Sequence, residues 1–153
     1  MPVYPENVTP AQTRLFRVEI EGFNPFTVQS INVPDLEHDS VEVSTGQGMV
    51  KFPGLTKTGD ITVKGWVDMM APDDERLAWF FRNGNPELGL AAAPFDKRDG
   101  TIVRTDAAGN DIQRWEFKGA WPKKVGGYAF DKAKSEVLME EITLSVDSCL
   151  PVF

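Results

Sequence analysis

The sequence predicts a mainly β protein, an antiparallel β-sandwich or barrel with one flanking α-helix and a long hairpin loop. Several segments alternate apolar and polar residues with a period of two, as half-buried strands do. Clusters of Gly, Pro, Asn and Asp separate them, and a single segment has helical spacing. The 153 residues fit one domain. We assign that domain to residues 14–153, after an extended, proline-containing N-terminal arm over residues 1–13.

The first two strands are predicted on either side of a turn. Residues 14–21 alternate, with apolar side chains at every second position from Phe16. Turn-forming residues follow, and a second strand is predicted over residues 26–33, where Pro34 interrupts it.

A long hairpin is the first candidate functional feature. Residues 39–45 and 60–68 both alternate, and we predict that they are its two arms. The intervening residues 46–59 are Gly-rich and are predicted to form a flexible connection. Loops of this length are usually functional or disordered.

One helix is predicted after residues 73–75, whose acidic side chains suit the first turn of a helix. Its spacing places Leu77, Phe80 and Phe81 on one face. Gly84 is expected to end the helix, and residues 84–100 are predicted to be a loop.

The C-terminal part is predicted to be strands only. Residues 101–105 and 111–121 form a second hairpin, and residues 128–133 form a short strand. The last strand covers residues 136–147. Its buried face carries Glu140 among four apolar side chains, which are Leu138, Ile142, Leu144 and Val146.

The composition argues against tight nucleic-acid binding. The formal net charge is -7, whereas such binding needs clustered Lys and Arg to displace phosphate counterions. No run of 18 apolar residues is present, so no membrane span is predicted. A single cysteine, Cys149, excludes an intrachain disulfide.

No catalytic, metal or cofactor site is predicted. The one histidine, His38, is expected to be solvated in a polar turn, and Cys149 has apolar neighbours and no adjacent base. Glu140 and Glu141 point to opposite faces of a strand and cannot act together on a substrate. Two alternatives remain open: a hydrolase that uses Cys149 or His38, and a small-ligand-binding β-barrel with a cavity lined by Trp66, Trp115 and Phe117.

Three segments carry a family resemblance. Residues 46–65 have a Gly-rich start, a Phe52-Pro53-Gly54 step and a strand that ends in Lys64-Gly65. Residues 115–124 contain an aromatic pattern that ends in Ala-Trp-Pro, and residues 136–144 supply a closing strand. In this order and spacing the chain resembles the tail tube proteins of contractile phage tails and related injection systems.

The resemblance implies a structural, non-enzymatic subunit. Six copies would form a ring with a closed inner β-barrel, and rings would stack into a conduit for DNA or effectors. Implied partners are further copies, sheath, baseplate and tape-measure proteins. The implied location is a virion tail assembled in the host bacterial cytoplasm, or alternatively a phage-derived contractile injection system. The hairpin would contact the adjacent ring through Met49, Val50, Lys51, Phe52, Pro53, Gly54 and Leu55.

Strand alternation then predicts which side chains face the channel. They are short, polar or acidic apart from one lysine, so DNA would pass without specific binding. Because charge is screened over ~8 Å at physiological salt, a negative lumen would repel only close approach. The predicted lumen residues are Ser40, Glu42, Ser44, Thr62, Lys64, Glu141, Thr143, Ser145 and Asp147.

Overall fold

A computed structural model describes residues 10–21, 28–67, 75–84 and 95–153, so most of the predicted N-terminal arm lies outside the described residues. The predicted class is confirmed, because the described residues form antiparallel strands and one helix. The elements are β1 (Phe16–Ile20), β2 (Val28–Ile31), β3 (Leu36–Thr45), β4 (Gly48–Thr58), β5 (Ile61–Trp66), α1 (Glu75–Arg82), β6 (Arg98–Thr105), β7 (Asp111–Gly126), β8 (Met139–Ser145) and β9 (Ser148–Val152).

Seven of the strands form one sheet, and strand β7 pairs with different neighbours along its length. The order is β1-β6-β7-β8-β5-β2, and β9 also pairs with β7. Residues 111–120 of β7 pair with β6, residues 114–118 also pair with β9, and residues 121–126 pair with β8. We call β1, β6, β9 and the N-terminal part of β7 the first half-sheet. The second half-sheet contains β2, β5, β8 and the C-terminal part of β7.

The hydrophobic core takes side chains from both half-sheets. Phe117 and Cys149 come from the first, whereas Ile61, Ile142 and Leu144 come from the second, and all five are buried. Burial of each large apolar side chain contributes about 1.5–3 kcal/mol. The two half-sheets therefore form the layers of a sandwich, which we call the sandwich body.

A glycine marks the corner where β7 passes from one half-sheet to the other. Gly119 has a φ of 66°, a left-handed conformation that glycine adopts without steric cost. Its amide donates a hydrogen bond to Asp99 Oδ1 (3.1 Å), and the Asp147 side chain occupies the space that a Cβ would need. This corner lets one long strand serve both layers.

The remaining strands, β3 and β4, form a separate two-stranded sheet, which we call the ribbon. Its register runs from Leu36 opposite Thr58 to Thr45 opposite Gly48, and the turn lies at Gly46-Gln47. The prediction of a flexible connection over residues 46–59 is therefore wrong, because most of that segment is strand β4. The predicted pairing of the hairpin arms is also wrong, since β5 pairs with β2 and β8.

The helix exposes part of the face that was predicted to be buried. Phe81 is exposed, whereas Trp79 and Arg76 are buried. Trp79 Nε1 donates to the carbonyl of Asp96 (2.7 Å), and the Arg98 guanidinium lies over its ring. These partners come from a distant segment, so helical spacing could not reveal them. Within the described residues, no helix has the length and apolarity needed to cross a membrane.

Two C-terminal predictions also differ from the structure. Residues 128–133 are not a strand, and β8 begins only at Met139. Strand β9 was not predicted, because Pro151 lacks an amide donor and reads as a strand breaker. As an edge strand that pairs with β7, β9 tolerates this proline.

Candidate interaction surfaces

The ribbon has one apolar and one polar face. Val41 lies opposite Phe52, and Val43 lies opposite Val50, so these four side chains share a face. We call this the apolar ribbon face. On the other face Glu42 lies opposite Lys51, with 3.8 Å between carboxylate and ammonium, and Ser44 lies opposite Met49. The alternation is that of a strand with one buried side.

The apolar ribbon face is nevertheless exposed. Its four side chains retain between 41% and 51% of their accessible surface. Both strands of the ribbon are exposed along most of their length, and among the described elements they pack mainly against each other. An isolated two-stranded hairpin is marginally stable in water, and a contiguous exposed apolar patch marks an interaction site.

The base of the ribbon is reinforced where its register shifts. The shift lies between His38 and Ser40, where Asp39 alone lies opposite the two residues Gly54 and Leu55. Lys57 Nζ lies 2.8 Å from Asp39 Oδ1, and this hydrogen bond, with the charge of Asp39, raises the pKa of Lys57. The bulge thus directly follows Pro53, which stays in register opposite Ser40, as a proline can in a ribbon whose strands both have an open edge.

The residues predicted to contact the next ring lie together on β4, but they do not share a face. Val50 and Phe52 belong to the apolar ribbon face, whereas Met49, Lys51 and Pro53 lie opposite. Gly54 lies at the register shift, where a Cβ would come within 3.1 Å of the Asp39 carbonyl oxygen. Leu55 follows it and is 79% exposed.

The predicted lumen residues fall into separate groups. On the second half-sheet, Thr62 lies opposite Thr143 and Lys64 lies opposite Glu141, whose carboxylate is 3.8 Å from the lysine. Ser145 lies on the same face of β8, opposite Trp121 on β7. A second group, Ser40, Glu42 and Ser44, lies on the ribbon. Asp147 lies beyond the end of β8 and is 3.6 Å from Lys97.

Two further residues belong to the polar outer face of the second half-sheet. Ser30 on β2 is the partner of Lys64, and Lys124 on β7 is the partner of Thr143. Sequence reasoning missed Lys124 because a register shift after Pro122 moves its pairing by one position. The face therefore combines hydroxyl groups with both signs of charge, and Lys124 adds a second basic side chain to the single lysine that the sequence predicted there.

A buried polar network explains the carboxylate on the core face of β8. Glu140 is buried, and its Oε1 lies 2.6 Å from Nε of Arg76 on the helix. Arg76 also donates to the carbonyl of Trp66 (3.1 Å), and the Tyr128 hydroxyl donates to Glu140 Oε2. A buried charge needs such partners. The sequence alternation placed Glu140 on the buried face of its strand, but nothing in it indicated that Arg76 is the ion-pair partner of Glu140.

The structure offers no support for the hydrolase alternative. Burial raises the pKa of the Cys149 thiol, which lies in the core on β9, and a protonated thiol is a poor nucleophile. His38 lies on the ribbon, in strand β3 and not in the predicted turn, with Nδ1 3.0 Å from Thr56 Oγ1. No group of His, Cys, Asp and Glu that could hold a metal occurs in the described part of the chain.

The ligand-barrel alternative also fails. Phe117 fills the core, whereas Trp66 is exposed at the end of β5. Trp115 borders a surface hollow that neither of the other two lines. These three aromatic side chains therefore do not line one cavity.

Comparison with known proteins agrees with an assembly role. The family model described as "T4-like virus tail tube protein gp19" matches residues 12–149. The solved "Extracellular Contractile Injection System, PVC sheath-tube complex in extended state" contains a chain that is 25% identical, with a TM-score of 0.73 over 94% of this chain and 91% of that one.

Two structures with lower sequence identity share the fold. A chain of the anti-feeding prophage cap is 22% identical, with a TM-score of 0.77 over 98% of this chain and 95% of that one. Hcp1 from Flavobacterium johnsoniae is 18% identical, with a TM-score of 0.57 over 90% of this chain and 94% of that one. No curated protein gives a significant match.

Proposed function

This chain belongs to the T4-like virus tail tube protein gp19 family, and we propose the following assembly for it. It is a structural tail tube subunit of a phage or phage-like contractile particle, and not an enzyme. Six copies form a ring, rings stack, and the stack encloses a channel. The observation that carries this proposal is a second half-sheet with two open edges beside a ribbon with an exposed apolar face.

The ring closes through the edges of the second half-sheet. Its order is β2-β5-β8-β7, and each neighbouring pair is antiparallel, so β2 and β7 run in opposite directions. Within the described residues, the outer edges of β2 and of residues 121–126 have no strand partner. When β2 of one subunit pairs with β7 of the next, the antiparallel pattern continues, and closure removes both edges.

A proline on β2 tests this edge pairing. The register between β2 and β5 skips Gln29, so Gln29→Pro spares the ladder inside the subunit but removes a backbone donor from the edge strand. The variant should stay folded and fail to form rings, whereas Gln29→Ala should form them. Normal rings from Gln29→Pro would contradict this pairing.

The lumen is lined by the outer face of the second half-sheet and, towards the rim, by the polar face of the ribbon. Hydroxyl groups and opposed charges support this assignment: Lys64 compensates Glu141, and Lys51 compensates Glu42. DNA or effectors then pass without being held, because no continuous basic track meets the phosphates.

Charge reversal tests the lumen assignment. Glu42→Lys with Glu141→Lys should leave tubes intact but slow cargo delivery by the assembled particle, because basic rings would bind phosphate. Glu116→Lys, on the exposed outer face of the first half-sheet, is the matched control and should deliver normally. Unchanged delivery by the double variant would contradict the assignment.

The ribbon makes the contact between rings. This proposal is supported by its apolar face and by Leu55, which are exposed in the subunit and have the alternation of a buried strand. The predicted contact segment, Met49 to Leu55, forms most of β4. The sheath, baseplate and tape-measure proteins are the further partners, and assembly takes place in the bacterial cytoplasm. Solved structures named as sheath-tube complexes and baseplates support the first two.

Electron microscopy of the purified protein tests the function itself. At rising concentration, negative stain should show rings with a central hole and then tubes. A species that stays monomeric at every concentration would contradict the proposal.

The alternative to a phage tail is the tube of a phage-derived contractile injection system, which is favoured by the similarity to the PVC and anti-feeding prophage structures. Nucleic acid inside purified particles would indicate a phage tail, whereas protein cargo would indicate an injection system.

A further inference from the structure

The ribbon and the segment 127–138 leave the second half-sheet at opposite ends. Strand β5 begins at Ile61, directly after the ribbon, and ends at Trp66, which lies opposite Met139 at the start of β8. Strand β7 ends at Gly126, opposite Glu141, at that same far end. The connection from β7 to β8 therefore lies one sheet length away from the ribbon. In a barrel, these two ends of the sheet face opposite rims.

The segment 127–138 presents apolar side chains to solvent. Phe130 is 83% exposed and Val137 is 64% exposed. Both border a hollow of about 280 Å³, which Leu138 and Met139 also line, together with three charged residues, Asp131, Lys134 and Glu136. This volume is below the ~300–1,000 Å³ of typical small-molecule pockets, and it suits one or two protein side chains. We call Tyr128, Phe130, Val137, Leu138 and Met139 the distal surface.

The distal surface is held in place by polar contacts. At one end the Tyr128 hydroxyl donates to buried Glu140, which pairs with Arg76. In the middle, Asp131 Oδ1 accepts from the amide of Ala133 (2.9 Å), and its carbonyl accepts from the amide of Lys134 (3.2 Å). These bonds give the segment a defined shape although it contains no strand.

We propose that the distal surface receives the apolar ribbon face of a subunit in the neighbouring ring. The proposal rests on the proposed function, and it names the second surface of the ring-to-ring contact. One chain carries both surfaces, at opposite ends of the same sheet, and both expose apolar side chains. A contact between two different patches that does not close on itself propagates without limit. The same contact can therefore repeat from ring to ring, and only the terminal rings of a tube keep one surface free.

Acidic substitutions in the distal surface test this proposal. Phe130→Asp with Val137→Asp places charge in the hollow without touching the core, so the subunit should fold, as circular dichroism would verify. Negative stain should then show rings but no tubes, with a mean stack length at least tenfold below that of the wild type. Lys132→Asp, in the same segment and exposed, is the matched control and should form long tubes.

Mixing the rings of two variants distinguishes a contact between the ribbon and the distal surface from a contact between two ribbons. Rings of Val43→Asp/Val50→Asp lack the ribbon surface, and rings of Phe130→Asp/Val137→Asp lack the distal surface. Each alone should remain as single rings, whereas a mixture should give pairs of rings and nothing longer. Tubes of wild-type length from either variant, or a mixture without pairs, would overturn the proposal.

Different results would refute the proposed tube function and the proposed contact at the distal surface. If the wild-type chain forms no rings, the tube function itself is wrong. If the wild type forms tubes and the distal variant forms equal ones, only the distal surface is refuted.

Discussion

The ribbon and the sandwich body have the same alternation of apolar and polar residues but opposite burial. Phe117 in the body is fully buried, whereas Phe52 in the ribbon is half exposed. In the body, alternation matches a partner layer of the same chain. In the ribbon it has no partner layer among the described residues, and the contact between rings that we propose would supply one. We propose that alternation without an internal partner marks a face that is buried on assembly.

The largest expected difference lies between the two phenylalanines. Phe117→Ala should lower the free energy of unfolding by about 3–5 kcal/mol, because it opens a cavity in the core. Phe52→Ala should change it by only about 0.5 kcal/mol, as at other surface positions, while impairing tube formation. Urea denaturation of the unassembled subunit measures both. Equal losses would show that the ribbon belongs to the folding core.

The buried ion pair gives the next largest effect. Arg76→Met should cost about 3–5 kcal/mol, because it leaves Glu140 charged in the core without its guanidinium partner. Arg76→Met with Glu140→Leu should recover most of this loss, since an apolar pair of similar volume is often neutral. Thermal unfolding of both variants tests the pair. A double variant as unstable as the single one would contradict this account.

A smaller, pH-dependent effect is expected at the turn between β6 and β7. Asp106 accepts hydrogen bonds from the amide and side chain of Asn110 and from the amide of Ala108, which lower its pKa. Because the folded pKa lies below the unfolded value of about 4, the contribution to stability is complete above pH ~4. It is lost as the pH falls through the folded pKa.

The urea midpoint of the wild type should therefore fall more between pH 6 and pH 3 than that of Asp106→Asn. This variant keeps the shape of the side chain and does not titrate. Parallel curves for the two proteins would assign the acid sensitivity of the subunit to other carboxylates.

Burial that follows from the alternation of a single strand could be predicted from the sequence. Burial and pairing that depend on contacts with distant segments could not. Alternation on β8 correctly placed Leu144 in the core and identified Glu140 as an exception. The ribbon was misjudged because Pro53-Gly54 interrupts the alternation, and a bulge opposite Asp39 absorbs the interruption. Trp79 and Lys124 were missed because a distant segment buries the first and a register shift places the second.

Amide hydrogen exchange of the ribbon tests the central claim most directly, by comparing unassembled subunits with assembled tubes. We expect residues 40–52 to exchange rapidly in the subunit and to become strongly protected in tubes, while the core strands β5 and β8 are protected in both states. Ribbon amides that are as protected in the subunit as those of β5 and β8, or that stay unprotected in tubes, would contradict the claim that assembly buries the ribbon.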